Sequence, residues 1–588
     1  MNILGLSFMY HDSSATLLAD GEVVAAAAEE RFSRKKHSLD FPSDAIAACL
    51  RIGGIRAKDL DAVVFYEKPL QKFERILTMN TRAFPRGFRQ FADSMPLWLK
   101  YKLFVKEMIR ENLGYDGENL GYDGEILFAD HHYAHAASSF FASGFDEAAI
   151  LTMDGVGEWA TMTRGTGRGN RIHLTHEIRY PHSLGLWYST FTAFLGFRVN
   201  GGEGKVMGLA SYGRPTFYDR MMRDLIDVRE DGSFRMNLDY FAFHRDVVMF
   251  SRRFVDAFGP PRVPESAITE RDHDLAASMQ KVVETVCLKA AAHLQRETGL
   301  TDLCVAGGVG LNSVTNGLIL ERLPFRRMFI QPASGDDGGS MGAALYHWHQ
   351  VLGRPRGWRM RDAFLGPANN PEEIARFLEL RGMPFRRYPR FEDLRDRAAA
   401  DLARGRIVGW IQGRMEYGPR ALGNRSILAN PSVPDMKDVI NHRVKHREPF
   451  RPFAPAVPVE RCAEFFDPAF ESPYMLLVSR TRPEKVPVLQ SVTHVDGTAR
   501  LQTVAREQNP KFHGLISRFG ELTGVPVLLN TSFNIRGEPI VCDYGDGLAC
   551  FLNEDMDCLA MENCYLVKGG DPGDGRPRPV LPPDDWPE

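Results

Sequence analysis

Ala148-Ala149-Ile150-Leu151-Thr152-Met153-Asp154-Gly155-Val156-Gly157-Glu158 decides how the rest of this 588-residue chain is read. An apolar run closed by a glycine turn reads as a buried strand, and the turn delivers the Asp154 carboxylate at the strand's end. A strand is predicted over residues 149–153, followed by strands over 159–164 and 172–176 with a Gly-rich turn between them. The start of the chain repeats the plan. Strands are predicted over residues 3–8, 14–18 and 23–27, with the polar turn Tyr10-His11-Asp12-Ser13 after the first and the hairpin signal Asp20-Gly21 between the last two.

Two β-meanders, each with an acidic turn after its first strand, are the plan of an α/β actin-like fold, which is ribonuclease H-like and duplicated. In that plan two related halves face each other across a nucleotide cleft. Between the meanders stands His131-His132-Tyr133-Ala134-His135. On a helix, residues four apart share a face, so His131 and His135 can grip one ion. Such pairs also occur by chance on surface helices. Asp154, and Asp336 in Gly335-Asp336-Asp337-Gly338-Gly339, offer two carboxylates on tight turns. Two His and two Asp suit a first-row divalent metal with open positions.

Length implies more than one domain. Apolar content of 44% and charged content of 25% are ordinary for a globular protein. A net charge of −3 gives no electrostatic case for nucleic acid. No apolar run approaches membrane-spanning length, and the first residues lack a signal-peptide pattern, so no membrane partner and a cytoplasmic location are expected. Eight scattered cysteines without Cys-x-x-Cys read as buried free thiols. A partly basic helical insertion is predicted over residues 97–112 and one long helix over 271–297. Glu111-Asn-Leu-Gly-Tyr-Asp-Gly repeats at once from Glu118 and reads as a lengthened loop. The basic stretch Gly353-Arg354-Pro355-Arg356-Gly357 puts a domain boundary there, giving domains 1–355 and 356–588; residues 569–588 read as a tail.

Gly307-Gly308-Val309-Gly310 is a further glycine turn leading into a predicted helix, where backbone can approach a nucleotide and phosphate is favoured. In the second domain, Arg414, Arg420 and Arg425, and then Lys445, Arg447 and Arg451, sit among Pro and Gly that restrict the backbone. Such cations suit phosphate- and carbamate-like anions, or ion-pair networks at a domain interface. Asn530-Thr531-Ser532-Phe533-Asn534 at a strand end reads as a cleft lining or a helix cap. His494-Val-Asp-Gly-Thr-Ala-Arg500 reads as a tight turn carrying His, Asp and Arg.

Taken with Ala26-Ala-Ala-Glu-Glu-Arg-Phe-Ser33, Gly202-Glu-Gly-Lys-Val-Met-Gly208 and Glu448-Pro-Phe-Arg-Pro-Phe453, these motifs resemble, over nearly the whole chain, the carbamoyltransferase family of the nodulation-factor, cephamycin, novobiocin and tobramycin enzymes. The resemblance implies an actin-like N-terminal domain of the tRNA threonylcarbamoyl-transferase type and a smaller α/β domain of the threonylcarbamoyl-adenylate-synthase type. It implies that carbamoyl phosphate and ATP, with Mg2+, give carbamoyl-adenylate, and that the carbamoyl group passes to a hydroxyl of a small-molecule acceptor. His131, His135, Asp154 and Asp336 match the family's ligands for Fe2+ or Zn2+, and His11 the histidine beside the carbamoyl group. Gly307, Gly308 and Asn312 match its adenosine site. Arg420, Lys445 and Arg451, with Asn530 and Ser532 beside them, match its phosphate site. Gly310, Gly204 and Ser211 depart from the usual Ala, Tyr and Pro, and Gly204 weakens any transfer of acceptor specificity.

His11 is the candidate general base, since an imidazole titrates near neutrality. Lys445 and Arg451 would act on the phosphates. The acceptor, whether antibiotic, macrolide, aminoglycoside or glycan, is written in no motif, and a homodimer is compatible with everything above. A small-molecule kinase of the actin-like class is the alternative that the first domain alone allows. An RNA-modifying enzyme is disfavoured by the charge, and a hydrogenase-maturation enzyme by the missing zinc-finger motifs.

Overall fold

The structure is a computed structural model, and it describes residues 1–113 and 122–570. Most of the tandem repeat and nearly all of the tail lie outside the described residues. The first sheet is built from β1 (Asn2–Ser7), β2 (Ser14–Ala19), β3 (Glu22–Ala28), β4 (Ala62–Phe65) and β5 (Glu125–Phe128), in the order β3-β2-β1-β4-β5. β1–β2 and β2–β3 pair antiparallel; β1–β4 and β4–β5 pair parallel. The second sheet uses β6 (Glu147–Met153), β7 (Ala160–Arg168) and β8 (Arg171–Arg179). After a short hairpin of β9 (Ile226–Val228) and β10 (Phe234–Met236), it takes in β11 (Asp302–Ala306) and β12 (Arg327–Ile330). Its order, β8-β7-β6-β11-β12, repeats that of the first with the same pattern of antiparallel and parallel pairs. The N-terminal domain is therefore a duplicated, actin-like fold.

Alternating turns and buried runs explain the strands; caps explain the helices. The helix Glu270–Thr298 opens on a capping box, Thr269 with Asp272, and stops at Gly299 in the left-handed region. Helix Gly339–Tyr346 packs between β1 and helix His131–Ser143. A Cβ at Gly342 would collide with the Ala134 carbonyl, so only glycine lets these two helices touch backbone to backbone. The insertion is helical from further back than expected: Pro69–Ala83, Phe88–Leu97, a wide turn Trp98–Lys102, and Val105–Asn112.

The C-terminal domain is built on one ten-stranded mixed sheet. Its strands are β13 (Arg386–Arg387), β14 (Val408–Ile411), β15 (Arg425–Ala429), β16 (Ala454–Pro458), β17 (Phe466–Asp467), β18 (Leu477–Thr481), β19 (Thr498–Val504), β20 (Leu528–Ser532), β21 (Cys558–Met561) and β22 (Cys564–Val567). They lie in the order β13-β22-β21-β14-β15-β20-β16-β19-β18-β17. The N-terminal core is one continuous cluster that takes in Met415, Tyr417 and Leu422 from the C-terminal domain, and two further clusters hold Ile411 and Trp410 of β14. All eight cysteines are buried and unpaired. Among the described residues no helix is long and apolar enough to cross a membrane.

Candidate active site

Four side chains from three elements, a helix and the turns that follow β6 and β12, meet in one place. Helix His131–Ser143 begins with His131 and carries His135 one turn on, and their Nε2 atoms lie 3.0 Å apart. Asp154 follows β6, its Oδ2 lying 2.9 Å from His131 Nε2 and 3.6 Å from His135 Nε2. Asp336, on the turn after β12, brings Oδ1 to 3.8 Å and 3.5 Å from the same two nitrogens. One donor atom from each of the four falls within 4.8 Å of all the others.

This donor set fits a divalent ion. Two imidazole nitrogens facing at 3.0 Å share at most one proton, and Asp336 Oδ1 is buried without a hydrogen bond. Ligand bonds of about 2.0–2.2 Å span separations of this size, and mixed imidazole and carboxylate donors suit a first-row metal. The electrostatics agree. Burial alone would lower the His135 pKa, but the facing carboxylates of Asp154 and Asp336 raise it to about 9. Burial would raise the Asp154 carboxyl, but the two imidazoles hold it well below the carboxylate range. The carboxylates are thus prepared to hold positive charge, and a bound cation would displace the imidazole protons.

The surroundings hold these groups in place. Gly308 N–H donates to Asp154 Oδ1 at 3.0 Å, which leaves Oδ2 for the histidines. Gly307 has φ +93°, and a Cβ there would strike the Met153 carbonyl. Glu158 accepts the His131 N–H at 3.1 Å and the Lys68 N–H at 2.8 Å, so a carboxylate faces the start of the helix. His132 contacts Thr152 Oγ1 at 2.6 Å and the Ala160 carbonyl at 2.9 Å; burial pushes its pKa down to about 3, so it stays neutral.

His11 stands on the turn after β1 with 32% of its side chain accessible. Its Nδ1 lies 2.8 Å from Asp12 Oδ2 and its Nε2 3.8 Å from Asp336 Oδ2. The other oxygen of Asp12 lies 2.7 Å from His37 Nδ1. Burial lowers the His11 pKa, but Asp336 and then Asp12 raise it to about 10. A divalent ion held by Asp336 would oppose that field and return the imidazole toward neutrality.

A second cluster, all cationic, belongs to the C-terminal domain. Burial and then mutual repulsion lower the pKa values of its guanidinium groups: Arg420 to about 10 beside Arg451, Arg447 beside Arg451, and Arg500 beside Arg420, Arg447 and Arg451. The guanidinium groups of Arg420 and Arg500 make no hydrogen bond or ion pair with any described residue, and the Nε of each is buried. Among the described residues Glu448 is the one carboxylate acting on Arg447 and Arg451, and it already pairs with Lys205 at 2.8 Å. Buried cations without partners destabilise a fold until an anion arrives.

Residues 2–345 match the family described as Carbamoyltransferase N-terminus, and residues 399–568 match Carbamoyltransferase C-terminus. The chain belongs to the carbamoyltransferase family. It is 46% identical to an uncharacterized protein of Synechocystis sp., over 97% of each chain. It is 35% identical to the nodulation protein NolNO of Sinorhizobium fredii, over 98% of this chain and 80% of that one. It is 31% identical to the 3'-hydroxymethylcephem-O-carbamoyltransferase of Amycolatopsis lactamdurans, over 63% of this chain and 65% of that one.

In this carbamoyltransferase several residues singled out in the sequence turn inward. Lys445 is buried, and its ammonium donates to Ser532 O at 2.5 Å, Asn534 Oδ1 at 2.6 Å and Asn534 O at 2.8 Å, which engages all three protons. Ser532 Oγ donates to Asn534 Oδ1 at 2.7 Å. Asn530 Nδ2 donates to Gln502 Oε1 at 2.7 Å and to the Ala421 carbonyl at 3.2 Å, beside Arg420. Asn312 caps helix Ser313–Arg322 through the Thr315 N–H and donates to Gln280. These four position backbone around the clusters. Sequence reasoning missed Glu416, whose Oε1 accepts the N–H groups of Leu422, Asn424 and Arg425 and so shapes the Arg420 loop. It also passed over Asp12 and His37, although Asp12 lies in the quoted turn.

The two clusters are clamped together. Tyr417, on the Arg420 loop, donates to the Asp337 carbonyl on the turn that carries Asp336, and lies 3.0 Å from Ser340 Oγ in the helix that follows. Arg31 donates to the Gly418 carbonyl at 2.6 Å. The exposed Lys36 lies within electrostatic reach of Arg420 and Arg451 on one side and Asp12 on the other.

Proposed function

We propose that this carbamoyltransferase is ATP-dependent and transfers a carbamoyl group, through carbamoyl-adenylate, to a hydroxyl of a natural product or sugar. The observation that carries the reading is the pairing of a buried His–Asp cluster, with His11 beside it, and a separate set of crowded arginines, of which Arg420 and Arg500 have no side-chain partner among the described residues. Residues 356–588 would make the adenylate and residues 1–355 would transfer it. Carbamoyl phosphate, ATP and one water give carbamoyl-adenylate, phosphate and pyrophosphate; Arg420, Arg447, Arg451 and Arg500 would bind the phosphates through guanidinium forks. Lys445 would hold the turn at Ser532–Asn534 in place. In the transfer step the acceptor oxygen forms a bond to the carbamoyl carbon, the bond to AMP breaks, and His11 takes the hydroxyl proton at Nε2 while Asp12 steadies Nδ1. His131, His135, Asp154 and Asp336 would hold a divalent metal, which supplies Lewis acidity toward an oxygen of the substrate. The cephem relative's name supports a hydroxyl acceptor.

The test is incubation of metal-loaded protein with ATP and carbamoyl phosphate, without acceptor, followed by mass spectrometry. Carbamoyl-adenylate and pyrophosphate are expected. Release of ADP with a phosphorylated acceptor, and no adenylate with or without candidate acceptors, would replace this reading with a kinase.

A further inference from the structure

The helical insertion leaves an unusual surface. Phe84 and Phe88 are 70% and 62% exposed, and Leu97, Leu99, Tyr101 and Phe104 are each 48–55% exposed. Isolated apolar residues on a surface need no explanation, but six large ones within 21 residues of chain do. Leu97 closes one helix, Tyr101 lies on the wide turn that follows and Phe104 immediately precedes the next helix, so the exposed residues cluster where the short helices join. On the inner side, Met95, Trp98, Val105 and Ile109 are buried, so the exposed set is not the face by which the insertion holds to the body of the protein.

Charge says what covers it. Residues 82–110 carry seven basic and two acidic side chains, a net charge of +5 in a chain whose total is −3. Aromatic and aliphatic residues interleaved with Lys and Arg on short helices match the chemistry of an anionic bilayer surface: rings enter the headgroup layer and cations meet lipid phosphates. A second copy of this chain, net negative outside the insertion, offers the charge, but among the described residues the remaining exposed large hydrophobics are scattered along the sequence and give no apolar counterpart of matching size. The insertion also reaches the candidate active site. Lys102 Nζ lies 3.8 Å from the centre of the Tyr10 ring, one residue from His11, and Lys72 Nζ lies 3.2 Å from the same ring. Lys72 pairs with Glu67 at 2.6 Å, and Glu67 lies 3.9 Å from His131 Nδ1.

We infer that the face formed by Phe84, Phe88, Leu97, Tyr101 and Phe104 docks the protein peripherally on an anionic lipid bilayer. The inference stands on surface composition and does not depend on the carbamoyl chemistry.

The experiment is co-sedimentation of the full-length protein with vesicles of phosphatidylglycerol in phosphatidylcholine, and with vesicles of phosphatidylcholine alone. Two variants accompany it: F84S/F88S/L97S/Y101S/F104S and K100E/K106E. Thermal unfolding is followed in parallel; all five apolar sites are exposed, so melting within about 2 °C of the parent is expected. Binding to the anionic vesicles, weakened at least about tenfold in both variants and at high salt, supports the inference. Failure of the parent to bind anionic vesicles overturns it, as does equal binding to both kinds of vesicle. Should the parent instead form a dimer in solution that the serine variant abolishes, without vesicle binding, the face is a self-association surface and the inference falls. If the serine variant melts early, the charge-reversed variant alone decides.

Discussion

Asp12 divides its two oxygens between His11 and His37, at 2.8 Å and 2.7 Å, and so fixes which nitrogen of His11 faces the reacting groups. That gives His11 an oriented Nε2 beside Asp336. Replacing it by H11N should spare adenylate formation and lower carbamoyl transfer by about 10²–10⁴-fold, read by counting carbamoyl-adenylate and carbamoylated product separately. Normal transfer by that variant would remove His11 from the chemistry. Arg500 makes the opposite kind of prediction. It is pushed well below its ordinary pKa by burial and by three neighbouring arginines, with no partner to offset the cost. Arg500→Met should therefore stabilise the ligand-free protein, by about 1 kcal/mol, while raising the KM for ATP or carbamoyl phosphate about tenfold or more. A variant that is both less stable and kinetically unchanged would contradict the role given to this residue.

At the scale of elements, the turns after β6 and β11 carry the argument. Gly307 stands at φ +93° against Met153, and its neighbour Gly308 holds Asp154 by a backbone N–H. G307A should push this turn away from β6 and loosen Asp154; metal content measured after dialysis should fall about tenfold or more, with little loss of helix signal. Retention of full metal would mean that Asp154 keeps its place without the turn. These elements were legible before any coordinates because period-2 runs and glycine turns are local: the predicted strand over residues 149–153 lies within Glu147–Met153, and the long helix is off by one residue at each end. The spacing of His131 and His135 was legible for the same reason. What a sequence pattern leaves open is where a side chain points. Asn312 caps a helix and Lys445 ties down a turn, while Asn530 donates to Gln502 and leaves its buried Oδ1 without a partner. The Asp12–His37 pair bridges 25 residues, and the three amides on Glu416 reach up to nine residues away, distances over which no periodicity operates.

At the scale of the whole molecule, the N-terminal core takes in Met415, Tyr417 and Leu422 of the C-terminal domain, and a set of buried polar clamps crosses the junction. Arg31 is 1% exposed and donates to the Gly418 carbonyl across the junction, and Tyr417 reaches the turn beside Asp336. With the clamps intact, calorimetry should record one cooperative transition. R31A, which removes a buried guanidinium and its bond, should cost about 2–4 kcal/mol and split the transition into two. In the same variant more adenylate should escape to hydrolysis, seen as AMP formed without carbamoylated product. A single transition at the parent temperature would mean that the junction is held elsewhere.

The buried cysteines make the protein its own chemical clock. Burial pushes the thiols of Cys49, Cys304, Cys542 and Cys550 up to about 12 and those of Cys462, Cys558 and Cys564 up to about 11, with Cys287 higher still. The thiolate is the reactive form, so at neutral pH alkylating reagents meet these sulfurs only when the surrounding structure opens. Three of the eight lie in residues 1–355 and five in residues 356–588. Labelling in mild denaturant should therefore jump from none to eight if the domains open together, and pause at three or five if one opens first.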